Sequence, residues 1–563
     1  MKLPVQSTVE ALSYIAGVDI RQRGPLGAQA DITIGGGTFE QVLILVNGIP
    51  LRDPQTGHHQ LNLPFDLQQI ERIEVIKGTA SRIYGANALA GAINIVTKAP
   101  ASEKVFFQSY VGMPFETDTA TGEAYYAAGL RAGVGFKIKE SQHRFDAGYQ
   151  TTNGFRFNSA STQQRLNYLG RYFTKRALIN LMGGTLLNKF GARDFYAPPV
   201  DIDAVESVNT TYAGATANIA LGEFSLRPIV YWRYNHDDYN LNAFNYRNNH
   251  FSTAAGAELH STYTLDRWAF GAGLEYRTEL IRSNNLGKHE RQYYASYAEA
   301  KYNFTPNGHV TLGANVQYNT DFGMSIYPGI ELYQGFNLLE NKTMGVFANA
   351  GFGNRMPTYT DLYYSDSRTV GNPLLRPESA TNGEIGVRLH DKQNTCMQAS
   401  AFIRNAVDFI DFVQEDLFSR FQAVNFQNVQ VTGLEFSGAH SFKHAQNHDV
   451  FPSSLRITYT YLDATLGLPS ALSRYALEHL RHQLAVQLMV KTTKSIDHSF
   501  NVRYLERFNG PQYAIADYRV RVNLKQWSLF GDISNIFDRQ FVETGFVPMP
   551  GRWYRIGVEL RIK

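Results

Sequence analysis

The last ten residues of the chain, 554–563, read Tyr-Arg-Ile-Gly-Val-Glu-Leu-Arg-Ile-Lys and alternate between apolar and polar or small side chains. Because successive side chains of a β-strand point to opposite faces, a strand here has one apolar and one charged face. Such a strand suits a wall that separates lipid from water. The alternation recurs upstream, for example at residues 145–151 and 274–280. A chain with this pattern over most of its length is predicted to form a transmembrane β-barrel.

The composition favours a barrel over other classes of protein. The chain has 563 residues, of which 44% are apolar and 13% aromatic. It contains no run of about 18 apolar residues, as a membrane-spanning helix would require. The many aromatic residues fit the girdles at the edges of a barrel wall, with a Tyr-rich soluble β-protein as the alternative. The net charge of +3 is too small to indicate nucleic-acid binding. The single cysteine excludes a disulfide framework.

The sequence divides into two regions of different character. Residues 1–98 read as a small α+β unit, with a short helix at 8–15 capped by Ser7 or Thr8 and strands at 41–46, 70–76 and 92–97. Residues 101–563 read as amphipathic strands joined by polar connections, and residues 236–250 are among the candidate long loops. Since a strand needs only about 9–11 residues to cross a bilayer, this region is long enough for about 22 strands.

A barrel of this size has a consequence for the first region. Lipid cannot hydrogen-bond a free strand edge, so the sheet must close on itself. A barrel of about 22 strands leaves a lumen too wide for side chains to fill, and an unfilled lumen would leak. We therefore expect residues 1–98 to form a plug inside the barrel.

Short motifs support this arrangement and occur in a consistent order along the chain. Three lie in the first region and four in the second: 43–48 (Leu-Ile-Leu-Val-Asn-Gly), 70–78 (Ile-Glu-Arg-Ile-Glu-Val-Ile-Lys-Gly), 84–95 (Tyr-Gly-Ala-Asn-Ala-Leu-Ala-Gly-Ala-Ile-Asn-Ile), 355–358 (Arg-Met-Pro-Thr), 371–378 (Gly-Asn-Pro-Leu-Leu-Arg-Pro-Glu), 535–538 (Asn-Ile-Phe-Asp) and 550–552 (Pro-Gly-Arg). Together they resemble the plug and barrel signatures of TonB-dependent outer-membrane receptors.

The resemblance implies active import of a scarce small molecule across the bacterial outer membrane, with energy relayed by the TonB protein. Within that family, residues 53–59 and 195–199 look most like receptors of the cobalamin type. Receptors for ferric siderophores or haem share nearly every motif and stay open as alternatives, as does an outer-membrane docking receptor without transport. A further partner that stays open is a surface lipoprotein that caps the barrel as a lid.

The sequence departs from the family pattern in three places. A signal peptide, the segment that contacts TonB (the TonB box) and an initial plug strand are not recognised before residue 1, so we expect a plug incomplete at its N-terminus. Coupling to TonB then depends on that segment being present. Gly35 stands where the family has an arginine, which predicts a missing ion pair in the plug. Lys563 replaces the usual terminal aromatic residue.

Two plug loops, 21–30 and 52–60, are expected to face the outer side of the lumen. Convergent polar groups on a rigid floor are what a small-molecule site needs. Aromatic residues of the outer loops could stack on a flat ligand. The predicted ligand-binding residues are Arg23, Gln29, Arg52, Asp53, Gln55, Thr56, His58, His59, Phe195 and Tyr196.

Enzymatic activity and a required cofactor are not expected, because no nucleophile–base arrangement or phosphate loop occurs. His58 and His59 are adjacent, and on an extended segment they would point to opposite sides and not share an ion. Carboxylates are the ligands that Ca²⁺ prefers, and cobalamin receptors use Ca²⁺ to order their outer loops. The predicted Ca²⁺ ligands, with solvated loop charges as the alternative, are Asp194, Asp201, Asp203, Asp237 and Asp238.

Overall fold

The computed structural model describes residues 5–24, 27–78, 80–196, 200–391, 394–416, 419–442, 451–466, 472–473, 479–508, 510 and 512–563. The chain forms a closed β-barrel whose lumen contains the N-terminal unit. No helix among the described residues is long and apolar enough to cross a membrane.

In its described residues, the N-terminal unit, called the plug below, holds two small sheets and two short α-helices. Its elements are α1 (Thr8–Leu12), β1 (Val18–Gln22), β2 (Ala30–Ile34), β3 (Val42–Val46), β4 (Ile49–Pro50), β5 (Ile70–Lys77), α2 (Ser81–Tyr84) and β6 (Gly91–Thr97). The hairpin β1–β2 is separate from a four-stranded sheet of order β4-β3-β6-β5. Ser7 caps α1 by accepting a hydrogen bond from the Glu10 amide at 3.1 Å. The helix ends at Leu12, earlier than predicted, where the Ser13 hydroxyl donates back to the Glu10 carbonyl.

The barrel wall is built from antiparallel strands in sequence order. Its strands are β7 (Val105–Met113), β8 (Ala127–Ile138), β9 (Ser141–Thr152), β10 (Ser161–Phe173), β11 (Ala177–Gly191), β12 (Ala204–Leu221), β13 (Phe224–Leu241), β14 (Tyr246–Leu265), β15 (Trp268–Ser283), β16 (Gly287–Thr305), β17 (Gly308–Asn319), β18 (Gly323–Leu339), β19 (Lys342–Arg355), β21 (Glu378–Asp391), β22 (Thr395–Gln414), β23 (Phe421–Ser441), β24 (Phe451–Leu466), β26 (Leu480–Lys491), β27 (Ile496–Arg507), β28 (Tyr513–Leu524), β29 (Trp527–Ser534) and β30 (Trp553–Ile562). Two-residue strands β20 (Thr369–Val370) and β25 (Leu472–Ser473) and the helix α3 (Tyr359–Tyr363) lie in connections between them.

The barrel closes where its last strand meets its first. β30 pairs with β7 in antiparallel register, from Tyr554 opposite Met113 to Ile562 opposite Val105. The prediction of about 22 strands is confirmed, since the closed barrel has 22 long strands. Most connections at the end where the chain terminates have two to four residues, and most at the other end are longer. In outer-membrane barrels the short turns lie on the periplasmic side, so the longer loops face outward.

The closing strand has the two faces that its sequence predicts. Ile556 is 66% exposed on the outer face, while Arg555 and Glu559 are buried inside. Arg555 and Arg519 both pair with Asp532 of the neighbouring strand β29. The charges therefore hold the wall together from within, and the apolar side chains face lipid.

The plug packs directly against the inner wall. The β3 and β6 side chains form a buried core that continues into Leu169, Met182 and Tyr212 of the barrel. Burial of an apolar side chain contributes roughly 1.5–3 kcal/mol, so this contact stabilises the plug inside the lumen.

One predicted loop is largely strand in the structure. Residues 236–250, expected to be a long connection, belong mostly to β13 and β14, and only residues 242–245 connect them. Polar residues extend both strands beyond the apolar part of the wall as a rigid hairpin. This hairpin places Asp237 beside the plug.

Candidate functional site

Two plug segments and one outer loop meet on the outer side of the plug. The Gln29 side-chain amide donates to the Tyr196 hydroxyl at 2.9 Å and so joins the first plug loop to the connection between β11 and β12. Arg23 donates to Gln29 and to Asp31, each at 2.9 Å. His58 lies 2.6 Å from Asp31. The first and second plug loops are thus held together through Asp31.

Asp31 is the charged centre of this junction. Burial alone would raise the pKa of its carboxyl group, but His58 and Arg23 outweigh that effect and lower the pKa to about 2. Burial lowers the pKa of His58, and the negative charge of Asp31 only partly offsets this effect. The ring of His58 also stacks on Phe39, with centroids 4.3 Å apart. The junction is therefore ordered by packing as well as by charge.

The second plug loop is fixed to the plug and to the barrel wall. Arg52 donates to the carbonyls of Ala86 and Tyr84 at 2.9 Å each, so its guanidinium links the second plug loop to the end of α2 and the segment after it. Asp53 pairs with Arg233 of β13 at 3.1 Å and accepts a hydrogen bond from Ser252 at 3.0 Å. These contacts make Arg52 and Asp53 structural supports beneath the loop.

The two histidines of this loop lie on a short 3-10 helix, Gly57–His59, and the extended segment assumed from the sequence is not found. Thr56 caps the helix by accepting a hydrogen bond from the His58 amide at 3.4 Å. The two side chains nevertheless take separate partners, since His58 pairs with Asp31 and His59 lies 3.3 Å from Asp237. Gln55 also donates to Asp237, at 2.6 Å.

His59 belongs to a buried group with two barrel carboxylates. One donor atom each of His59, Glu206 and Asp237 lies within 4.8 Å of the others. Burial would lower the pKa of His59, but Asp237, Glu206 and Asp53 outweigh it and raise the pKa to about 9. Glu206 was not among the predicted site residues; its inward position on an amphipathic strand was the one signal that pointed to it.

A barrel connection covers the second plug loop. The amides of Tyr359 and Thr360 in α3 donate to the carbonyls of Pro54 and Gln55 at 3.0 and 3.1 Å. As a result Gln55 is only 3% exposed. Most of the predicted ligand-binding residues are buried, and the wall supplies polar partners to Asp53, Gln55 and His59 among them.

The predicted loop aromatics line the inner side of the barrel mouth. Phe195 and Tyr196 pack against a buried cluster that includes Phe190 and Tyr239. The Tyr196 ring lies 5.3 Å from the ring of Tyr239 in an edge-on arrangement. Residues 197–199 of the predicted motif lie outside the described residues. These aromatic rings extend the polar junction upward toward the outer loops.

The five aspartates proposed as Ca²⁺ ligands are distributed among different partners. Asp194 pairs with Arg156 at 2.6 Å, and Asp238 pairs with Arg247 through both oxygens, at 2.6 and 2.7 Å. The Asp201 carboxylate accepts from the Tyr196 amide at 2.9 Å, and the Asp203 carbonyl accepts from Asn242. Asp237 alone of the five belongs to a group of potential metal ligands in the described part of the chain.

At the opposite side of the plug, a barrel arginine binds the plug backbone around Gly35. Gly35 adopts φ +52°, and a side chain there would approach Arg404 of β22. Arg404 donates to the Gly35 carbonyl at 3.1 Å and to the Ile34 and Ala90 carbonyls at 3.4 Å. The predicted loss of a plug cation is thus accompanied by a barrel cation that binds the plug backbone. A nearby ion pair joins plug Lys77 to barrel Glu435.

A cavity lies between α1 and the last barrel strands. It encloses about 950 Å³ counting its open mouth, and its lining includes Glu10, Tyr14, Arg503 and Glu543. Burial raises the pKa of Glu10 to about 7. No sequence motif pointed to this space, because its walls come from opposite ends of the chain.

A closed barrel of 22 long strands with a plug fixed inside its lumen defines a gated outer-membrane receptor. Two family profiles agree with this class. The profile described as "TonB dependent receptor-like, beta-barrel" matches residues 124–536, and that of the "TonB-dependent Receptor Plug Domain" matches residues 1–92. The chain belongs to the TonB-dependent receptor family and is a protein of the bacterial outer membrane.

The chain is also similar to curated transporters and, in fold, to solved receptor structures. The chain is 24% identical to the vitamin B12 transporter BtuB of Photobacterium profundum, over 96% of this chain and 87% of the relative. It is 23% identical to BtuB of Vibrio vulnificus, over 77% of this chain and 70% of the relative. The crystal structure of the siderophore receptor PirA from Acinetobacter baumannii is similar in fold, with a TM-score of 0.80, 14% identity and coverage of 100% of this chain and 97% of that one.

Proposed function

We propose that this receptor imports a cobalamin, and that the ligand binds between the outer face of the plug and the outer loops. The observation that carries the proposal is the similarity to a vitamin B12 transporter over 96% of the chain. The outer junction fits such a ligand, because it combines the aromatic rings of Phe195 and Tyr196 with polar plug loops. Aromatic faces and a few placed polar groups are what an extended planar ligand requires.

The contacts at the plug suggest how binding would be sensed. The α3 amides bind the second plug loop, and Asp53 of the same loop pairs with Arg233 of the wall. A ligand that displaces α3 would release two hydrogen bonds to the loop and expose Gln55 and Thr56. The plug would then be less firmly held when TonB pulls on it.

The remaining partners are part of the same proposal. Lipid would contact the exposed apolar face of the wall, and TonB would engage a segment before the plug. Ca²⁺ in the outer loops and a surface lipoprotein lid stay predictions. We propose no enzymatic activity, no required cofactor and no nucleic-acid partner.

Binding of cyanocobalamin to the purified receptor tests the ligand directly. Isothermal titration calorimetry in detergent should show saturable binding that haem and a panel of ferric siderophores do not compete away. Replacement of Tyr196 by Ala should weaken cobalamin binding about tenfold, because a stacking face and the bond to Gln29 are lost. Replacement of Tyr263, which is exposed on the lipid-facing side of the wall, is the control. Tight binding of a ferric siderophore without cobalamin affinity would contradict the proposal and favour a siderophore receptor.

A further inference from the structure

The buried group of His59, Glu206 and Asp237 joins the plug to the barrel. His59 comes from the second plug loop, Glu206 from β12 and Asp237 from β13. In the pairing of these strands, Glu206 is opposite Tyr239 and Asp237 is opposite Val208. The two carboxylates are therefore diagonal neighbours on the inner face of the wall, where their side chains can converge.

The spacing of the donor atoms fits one bound ion. His59 Nε2 and Asp237 Oδ2 are 3.3 Å apart, and one donor atom from each of the three residues lies within 4.8 Å of the others. Two ligands that bind one tetrahedral ion at about 2.0–2.1 Å are roughly 3.3 Å from each other. A small inward movement of Glu206 would complete a three-ligand set with an open fourth position.

The polar atoms of the group are incompletely satisfied by the protein. Asp237 is only 6% exposed, and its Oδ1 has no hydrogen-bond partner among the described residues. Gln55 binds Asp237 through its side-chain nitrogen, and its buried Oε1 likewise has no hydrogen-bond partner in the described part of the chain. Two buried carboxylates side by side are costly without a compensating charge, and a protonated His59 balances only one of the two. A divalent cation that takes the place of the His59 proton balances both charges and gives the unpaired Asp237 oxygen a partner.

The surrounding contacts hold the donors in place. The Tyr196 hydroxyl donates to Glu206 Oε2 at 2.9 Å and is itself bound by Gln29. Arg233 donates to the His59 carbonyl at 2.9 Å and fixes the backbone that carries the imidazole. Outer contacts of this kind orient metal ligands and contribute to metal affinity.

We propose that His59, Glu206 and Asp237 bind one divalent transition-metal ion, of which Zn²⁺ is the representative, between the plug and the barrel wall. An imidazole nitrogen with two carboxylates suits Zn²⁺ and its neighbours, whereas Ca²⁺ takes oxygen ligands only. Because the donors come from both parts of the molecule, the bound ion ties the second plug loop to the wall. This site does not depend on the identity of the imported ligand.

Zinc titration of the full chain tests the site. After treatment with a chelator and dialysis, the receptor in detergent should bind one equivalent of Zn²⁺ in a calorimetric titration. His59→Gln and Glu206→Gln should each weaken that binding at least tenfold. His236→Asn is the matched control. His236 is next to Asp237 in sequence, but its ring lies on the other face of the wall, where it stacks on Phe251 of β14. Circular dichroism confirms that each variant is folded.

Two measurements on the unaltered protein keep the test independent of the variants. A Zn²⁺-soaked crystal should show an anomalous diffraction peak between His59 and Asp237. Co²⁺ should give the visible absorption bands of a four- or five-coordinate nitrogen–oxygen site. A peak found elsewhere, or zinc affinity unchanged in both variants, overturns the proposal. Cobalamin binding is measured on the same samples, so retention of cobalamin affinity without a zinc site removes this inference alone.

Discussion

At the scale of single residues, Arg404 of the barrel places a cation beside Gly35, the position where the family resemblance predicts a plug arginine. Arg404 spans three plug carbonyls, those of Ile34, Gly35 and Ala90. A guanidinium can satisfy several acceptors at once because its five N–H donors lie in a fixed plane. The sequence indicated that an arginine was missing at position 35, but it could not reveal the substitute, since residues 35 and 404 meet only in the folded molecule.

Arg404→Gln should loosen the plug around Gly35, because hydrogen bonds from a charged group contribute about 1.5–3 kcal/mol. Hydrogen exchange at residues 30–46 should become about tenfold faster. Gly35→Arg should have a similar effect, because φ +52° strains any side chain and the first side-chain atom would lie 3.1 Å from Phe402 and 3.5 Å from the Arg404 guanidinium. The double variant should recover part of the protection, since it restores a single cation. An equal loss of exchange protection in all three variants would show that the charge of Arg404 does not hold the plug backbone in place.

At the scale of elements, α3 acts as a cover over the second plug loop. Thr358 caps this helix by accepting from the Asp361 amide at 3.2 Å, and Asp361 in turn accepts from the Thr358 amide at 2.9 Å. Arg355 at the end of β19 also pairs with Asp361, at 2.6 Å. The motif at 355–358 marked this segment in the sequence. Its contact with residues 54 and 55 was not predictable, because those hydrogen bonds join backbone groups and do not depend on the identity of the side chains.

Thr358→Ala should destabilise α3 by about 1 kcal/mol, the usual cost of a lost helix cap. Amide exchange at residues 359–362 should accelerate about fivefold, and exchange at residues 55–60 should follow because the covering hydrogen bonds weaken. Thr360→Ala serves as the control, since its backbone bond to Gln55 is kept and position 360 is not the cap. Unchanged exchange in the Thr358 variant would mean that tertiary contacts alone fix α3.

At the scale of the whole molecule, the alternation of apolar and polar residues predicted the barrel, its strand number and its plug. These features follow from local periodicity and chain length, which a single sequence contains. The candidate site did not follow in the same way. Its plug loops were predicted, but their burial under α3 and their pairing with Arg233, Glu206 and Asp237 depend on which barrel strands face the plug.

The plug is also tied to the barrel by Asp19, which contacts Arg507 of β27 at 2.7 and 2.9 Å and Arg21 at 3.0 Å. Burial alone would raise the pKa of Asp19, but the two arginines outweigh it and lower the pKa from 3.8 to about 2. A carboxyl group with a lowered pKa stabilises the folded state fully above its unfolded pKa and loses that contribution as pH falls through the folded pKa. The seated plug should therefore keep its stability above about pH 4 and lose about 2 kcal/mol as pH falls toward 2.

Hydrogen-exchange protection factors, corrected for the intrinsic pH dependence of exchange, measure this loss at β1 and β2. Strand β8 of the wall is the internal control and should stay protected over the same range. Asp19→Asn should lower plug protection already at neutral pH and flatten its acid dependence. Part of the dependence should persist, because the pKa of Asp31 is also lowered to about 2. If protection of β1 and β2 falls equally at low pH in the variant and in the native chain, the group that titrates is not Asp19 but another group in the plug.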